Sequence, residues 1–193
     1  MAEKPHVVVL AAGRATRFGG GKLDAPCAGK RLGQWVLDAV AEAGLAPGAI
    51  VVGPDVPAFA RAAPGWRLLV NPQPEAGLGT SLALAARDAL SRRDDAPMLV
   101  LLADMPLVPP GLIAGLAGAN APAAIRHETG RPGVPALFPA SLLPQLAQLG
   151  GDRGAASLLA GLDELTLLDP PESALLDIDR PADLARAEAE LSR

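Results

Sequence analysis

The chain has 193 residues, half of them apolar and 20% charged, with a formal net charge of −4. That is long and apolar enough for one domain with a real core, which excludes disorder, and an acidic chain without a long basic tract is excluded from tracking a nucleic-acid backbone. The lone Cys27 excludes an intramolecular disulfide, the absence of tyrosine argues against stacking platforms for single strands, and no apolar run approaches the ~20 residues of a membrane span. A cytoplasmic protein without a signal peptide, membrane segment or nucleic-acid partner is the expectation.

In chain order, residues 7–10 are an apolar run that predicts a buried first strand. Ala11-Ala12-Gly13 follow, then a loop holding Arg14, Arg17, Gly19-Gly20-Gly21 and Lys22. Residues 24–32 read as irregular. The spacing predicts a helix over 34–43, with Val36, Leu37, Val40 and Ala41 on its apolar face and Gly44 as its stop. Short strands are expected at 49–52 and 66–70, with a short helix around 58–62 between them. A long helix is expected over 80–92, and the most hydrophobic run, 98–103, ends in Asp104-Met105-Pro106. Beyond it, helices are expected at 110–117, 141–149 and 154–160, and strands at 121–125, 134–138 and 165–168. Residues 176–178 extend the chain to Asp179, and Pro181 opens a last helix over 182–191, proline being tolerated in a first turn.

Strands alternate with helices throughout, so the pattern predicts an α/β sandwich with a mainly parallel sheet, and residues 1–193 read as a single domain. Ligands of such sheets sit at the C-terminal edge of the strands, which puts Ala11–Gly13 and Asp104 on one rim. The glycine loop offers free backbone N–H groups and basic side chains, a cradle for phosphate oxygens. It is neither the Walker pattern nor the GxGxxG fingerprint, so an NAD-dependent Rossmann enzyme is not expected. Lys22 and Arg17 are the candidates for neutralising a triphosphate, with Arg14 a weaker third; the alternative is that they are solvated loop charges. Asp104, at the mouth of the sheet beside that loop, suits a hard cation such as Mg²⁺, although turn aspartates are common. Asp177 and Asp179 fall on one face of an extended segment. His6 flanks the first strand, His127 lies in a polar loop, and no nucleophile elbow is present.

The run from Leu10-Ala11-Ala12-Gly13 through Arg14, Arg17 and Gly19 to Lys22 resembles the N-terminal signature of the molybdenum cofactor cytidylyltransferase-like nucleotidyltransferases. Six ordered segments carry the resemblance over nearly the whole chain. It implies a three-layer Rossmann-like sandwich of the nucleotide-diphospho-sugar transferase type. Leu102-Ala103-Asp104-Met105-Pro106 resembles the family's L-x-D-M-P, whose aspartate binds Mg²⁺. The segment 177–184 is similar to D-x-D-T-P-E-D-L, which makes Asp179 the implied second metal ligand; Arg180 replaces its threonine and Ala182 its glutamate. The resemblance further assigns the base to Ala11, Ala12, Gly79 and Ser81, and the triphosphate to the backbone of 13–21, with Gly19 and Gly20 in it, plus Arg17 and Lys22. Gly133-Val134-Pro135, where the family often has Gly-His-Pro, and Asp152-Arg153 mark the acceptor side; for Asp152 a helix cap is the stronger reading, and Arg153 is the one suited to an acceptor phosphate.

The reaction implied is transfer of a nucleoside monophosphate from CTP to molybdopterin or another phosphorylated acceptor with release of pyrophosphate, and a molybdoenzyme or its maturation chaperone is the implied partner. Leu-Ala-Ala-Gly, rather than the Leu-Ala-Gly-Gly of GTP-using relatives, is what points to CTP. The same scaffold accommodates sugar phosphates, methylerythritol phosphate and phospholactate as acceptors. A non-catalytic nucleotide-binding partner of molybdoenzyme maturation is the alternative from another class.

Overall fold

The first strand, β1 (His6–Ala11), alternates strictly: Val7, Val9 and Ala11 enter one apolar core while Val8, Leu10 and the following Ala12 enter another. A strand buried on both faces is apolar at every position, and that is why the run is continuous rather than alternating. The structure is a computed structural model that describes residues 4–13, 17–93, 95–127, 129–151 and 154–192.

Eight further strands follow: β2 (Pro26–Cys27), β3 (Lys30–Arg31), β4 (Ala49–Val52), β5 (Arg67–Val70), β6 (Met98–Leu102), β7 (Ala123–Arg126), β8 (Pro132–Phe138) and β9 (Thr166–Leu168). The α-helices are α1 (Gln34–Glu42), α2 (Ala58–Arg61), α3 (Leu78–Ser91), α4 (Pro110–Ala117), α5 (Leu143–Leu146), α6 (Ala155–Leu159) and α7 (Pro181–Leu191). Seven strands form one sheet in the order β5-β4-β1-β6-β8-β7-β9. β8 runs against both of its neighbours, and every other pairing is parallel. Helices α1, α4 and α7 bury Val36, Val40, Ile113, Leu116 and Ala187 on one face; α3, α5 and α6 bury Leu82, Ala86, Leu146 and Leu159 on the other. The sandwich is three layers deep with a mainly parallel mixed sheet: the alternation of elements predicts the mainly parallel sandwich, and the resemblance implies its three layers. Central side chains such as Leu99 and Leu101 are fully buried, so truncating either to alanine costs about 2–5 kcal/mol.

The register places the rim. Leu10 lies beside Leu102, and Ala103 N donates to Leu10 O at 3.0 Å, so Ala11–Gly13 and Asp104 leave the sheet side by side. Because β8 is antiparallel, its first residues, Pro132 to Val134, reach the same edge.

Four elements differ from the sequence reading. Residues 24–32 are ordered: a 3₁₀ turn, Lys22–Asp24, leads into the β2–β3 hairpin, whose turn uses positive φ at Ala28 (46°) and Gly29 (86°). On α1 the core-facing alanine is Ala39, and Ala41 is exposed. The helix expected at 141–149 is a 3₁₀ turn, Ala140–Leu142, followed by the short α5. Residues 176–178 join no strand; Ile178 N donates instead to Asp104 O at 3.0 Å, which docks that segment on the rim.

Candidate functional site

Gly19, Gly20 and Gly21 have φ of 93°, 95° and 62°, a left-handed run that side chains resist, and open space surrounds the position where a Cβ would sit. Backbone conformation, not crowding, requires glycine there. The 3₁₀ turn that follows throws Lys22 inward, and its side chain keeps only 7% of its exposure. Lys22 Nζ donates to Asp104 Oδ2 and to Ile178 O, each at 2.7 Å, and stands 3.7 Å from Asp179 Oδ1. Arg17 Nη1 donates to Asp179 Oδ2 at 3.1 Å. Asp104 follows β6, and Asp179 precedes α7, whose first turn is capped by another carboxylate: Asp183 Oδ2 accepts from Arg180 N at 2.8 Å and from Asp179 N at 3.2 Å. The Asp179 side chain is thus aimed at the two cations rather than spent on capping.

Asp177 joins this cluster. Desolvation of its carboxyl, then the like charge of Asp104, raise it from 3.8 to about 7; Lys22 pulls the other way and Asp179 adds a smaller push. The residue as a whole is exposed, so solvent screening tempers the shift. Three carboxylates against one lysine and one arginine leave an acidic excess, which suits an incoming cation. Among the described residues, no group of three or more His, Cys, Asp or Glu is arranged to hold a metal. Asp104 and Asp179, both within reach of one buried cation, are a two-carboxylate set, and this fits Mg²⁺, which takes one or two carboxylates and completes its shell with water and phosphate oxygens.

Two clefts meet the cluster. The first, about 730 Å³, is lined by Ala11, Ala12, Gly13, Gly20, Gly21 and Lys22. Its opposite wall carries Gly53, Asp55, Pro74 and Glu75, from the loops after β4 and β5. Sequence reasoning missed that wall, although the strand-end rule applied to β4 and β5 points to it. Asp24 also lines the cleft, but its carboxylate accepts from Ala58 N and Phe59 N, both at 2.7 Å, and so holds the start of α2. The second cleft, about 1050 Å³, is lined by Gly133 and Val134 of β8, by Leu175, and by Asp177. Its edge is of mixed charge: Arg126, His127, Arg131 and Arg186 stand there with Asp169, Glu172 and Asp177. Arg126 Nε donates to Asp169 Oδ1 at 2.7 Å and the His127 ring lies 3.2 Å from Val134 O, while Arg131 and Arg186 make no ion pair among the described residues. Lys22 lines the first cleft and Asp177 the second, and both belong to one cluster.

The other residues singled out in the sequence lie elsewhere. Leu10 is buried within β1, Gly19 lies outside the cleft lining, and Pro135 is buried in β8. Ser81 is 3% exposed and its Oγ accepts from Asn71 Nδ2 at 2.9 Å; Gly79 N donates to Gly151 O at 3.2 Å. Neither Gly79 nor Ser81 lines the first cleft. Arg14, Asp152 and Arg153 lie outside the described residues. No helix among the described residues is long and apolar enough to cross a membrane.

Comparison with known proteins bears on the family and the fold. The profile described as the MobA-like NTP transferase domain matches residues 7–166. The bifunctional protein GlmU of Allorhizobium ampelinum is 40% identical over 134 residues, 65% of this chain, and the chain spans 29% of that relative's length. The crystal structure of Rv0371c from Mycobacterium tuberculosis superposes with a TM-score of 0.81 at 28% identity, over 98% of this chain and 99% of that one. The same protein crystallised in complex with manganese gives a TM-score of 0.73 at 25% identity, over 97% and 99%.

Proposed function

This chain belongs to the MobA-like NTP transferase family, and we propose that it moves a nucleoside monophosphate from CTP to a phosphorylated acceptor of the molybdopterin type, releasing pyrophosphate. The observation that carries this reading is the junction. A glycine-lined cleft sized for a nucleotide and a second cleft, which carries Arg131 and Arg186, unpaired among the described residues, meet at one cluster of three carboxylates and a buried lysine.

The nucleoside lies against Ala11 and Ala12, with its triphosphate along the backbone of Gly20 and Gly21. The Ala12 methyl trims the room a two-ring base needs, and Asp55 and Glu75 offer acceptor-only carboxylates to an exocyclic amino group such as that of cytosine. The acceptor lies in the second cleft, its phosphate near Asp177 and its remaining anionic groups toward Arg131 and Arg186. An oxygen of the acceptor phosphate forms the new bond to the α-phosphorus while the bond to the leaving pyrophosphate breaks, and the pyrophosphate departs with the electron pair. A phosphate monoester has its second pKa at about 6 and is mostly dianionic at neutral pH, so no general base is needed. Lys22 and Arg17 neutralise the charge that builds on the pyrophosphate. Asp104 and Asp179 would hold a divalent cation, which would supply charge neutralisation for the phosphates. What the chain contributes is positioning and fixed charge.

The test is pyrophosphate release with Mg²⁺ and each of CTP, GTP, ATP and UTP, with and without molybdenum-loaded molybdopterin. Turnover with CTP only when that acceptor is present is the expected result. A KM for GTP as low as that for CTP removes the base assignment. Release only with a sugar phosphate, methylerythritol phosphate or phospholactate moves the enzyme to another acceptor. Tight CTP binding without pyrophosphate release from any acceptor turns the reading to a non-catalytic partner.

A further inference from the structure

Each residue of the cluster that is suited to phosphate is bonded to a residue suited to metal. Lys22 has three N–H donors, and Asp104, Ile178 O and Asp179 surround its ammonium. Arg17 holds the far oxygen of Asp179. We propose that Lys22 and Arg17 are exchange groups: in the nucleotide-free chain they occupy the metal carboxylates, and on arrival of a metal–nucleoside triphosphate they pass to phosphate oxygens, so that metal and nucleotide bind with positive coupling. The identity of the incoming complex rests on the nucleotidyl-transfer reading above.

The physical reason is that each ligand alone meets an obstacle. A divalent cation entering without nucleotide displaces Lys22 from Asp104 and strands an ammonium whose side chain is only 7% exposed, and an unpaired buried charge is costly. A triphosphate entering without metal approaches Asp104, Asp177 and Asp179 with only two cations to offset them. Together, each charge finds a partner: the carboxylates take the metal, the ammonium and guanidinium take phosphate. Ile178 O remains as a second anchor for Lys22, so the side chain needs only to swing about a bond it keeps. Ile178 is itself fixed, fully buried and hydrogen-bonded through its N–H to Asp104 O. Coupling of this kind is reciprocal, since whatever the nucleotide does for metal affinity the metal does for nucleotide affinity.

The experiment is a Mn²⁺ titration followed by loss of the free-ion EPR signal, on the wild type, Lys22→Met and Arg17→Gln, with and without CTP carrying a methylene bridge between its α- and β-phosphorus, the Mn²⁺ that the analogue chelates in a protein-free control being subtracted. In the wild type the analogue tightens Mn²⁺ binding about tenfold. Without nucleotide, Lys22→Met binds Mn²⁺ about fivefold or more tighter than the wild type, because the competing ammonium is gone, and the further gain on adding the analogue shrinks. Arg17 is largely exposed, so Arg17→Gln leaves folding intact and moves metal-only affinity the same way by a smaller factor. Metal-only affinity that is unchanged or weaker in both variants overturns the exchange and leaves nucleotidyl transfer standing. Absence of analogue binding to the wild type at every Mn²⁺ concentration overturns the nucleotidyl-transfer reading and the coupling with it.

Discussion

The two ends of the sheet use the same residue types to opposite effect. At the C-terminal rim one buried lysine and one exposed arginine face three aspartates, and the Asp177 carboxyl is pushed up to about 7. At the N-terminal rim one aspartate faces two arginines. Arg67 donates from Nη1 to Asp88 Oδ1 at 2.9 Å and from Nη2 to Oδ2 at 2.7 Å, and Arg92 stands 3.6 Å away. The Arg67 guanidinium, against the opposing effect of burial, holds the Asp88 carboxyl below its usual range. The lower pair ties the start of β5 to the end of α3 and is satisfied internally. The upper cluster has more anion than cation, and the left-handed glycine run lies beside it. A charge cluster that is complete stabilises the fold, whereas one left in excess at a cleft is set to receive a ligand.

The largest effects separate the rims by what they break. Asp104→Asn keeps the shape of the side chain and lowers pyrophosphate release by about 100- to 1000-fold, and Tm falls as well because the buried Lys22 loses its nearest carboxylate. A full-rate variant with Asn at 104 would make the upper cluster structural like the lower one. At the opposite end Gly48→Ala places a Cβ 1.9 Å from Val7 O, so the backbone of β1 must move; about 3 kcal/mol of stability is lost and Tm falls by about 10 °C. Thermal unfolding followed by circular dichroism reads this directly.

Smaller effects sharpen the contrast. Asp88→Asn costs about 1 kcal/mol in urea unfolding, Arg67 being half-exposed, and leaves turnover unchanged. Because the folded pKa of Asp88 is depressed, its contribution is fully present above the unfolded value near 4 and is lost as pH falls through the folded value. The upper rim behaves in the reverse sense. Between about pH 4 and 7 the metal-free folded chain holds a proton on Asp177 that the unfolded chain has released, so stability declines as pH rises across that window. Asp177→Asn flattens that decline, and Tm measured against pH in chelator detects it. Equal pH slopes in wild type and Asp177→Asn would remove the contrast between the rims.

Most of the strands and the longer helices were legible in the sequence because their patterns are local. β4 and α4 begin and end where apolar run and proline placed them. The β2–β3 hairpin was not legible: two-residue strands carry no period, and the turn rests on a positive φ at Ala28, which no alanine advertises. Cys27 and Leu32, both fully buried there, looked like loop residues for the same reason. At the site, Lys22, Arg17, Asp104 and Asp179 were nameable from charge, glycine context and motif. Asp177 was visible only as the partner of Asp179, and the Gly53–Asp55 and Pro74–Glu75 wall was not visible at all. That wall is ordinary loop sequence, and only the position of β4 and β5 beside β1 turns it toward the glycine loop.

By itself, the sequence determined the mainly parallel α/β class, the glycine loop and its cations, and the carboxylates Asp104 and Asp179, because each depends on residues close together in the chain. The tertiary structure decided which charge meets which. Lys22 lies 82 residues from Asp104 and 156 from Ile178, and Arg17 lies 162 from Asp179. No local pattern encodes such pairings. They follow from parallel strands that return each chain segment to one rim, and from the packing of α7, where Glu188 Oε1 accepts from Ala28 N at 3.1 Å and so holds the last carboxylates over the first loop.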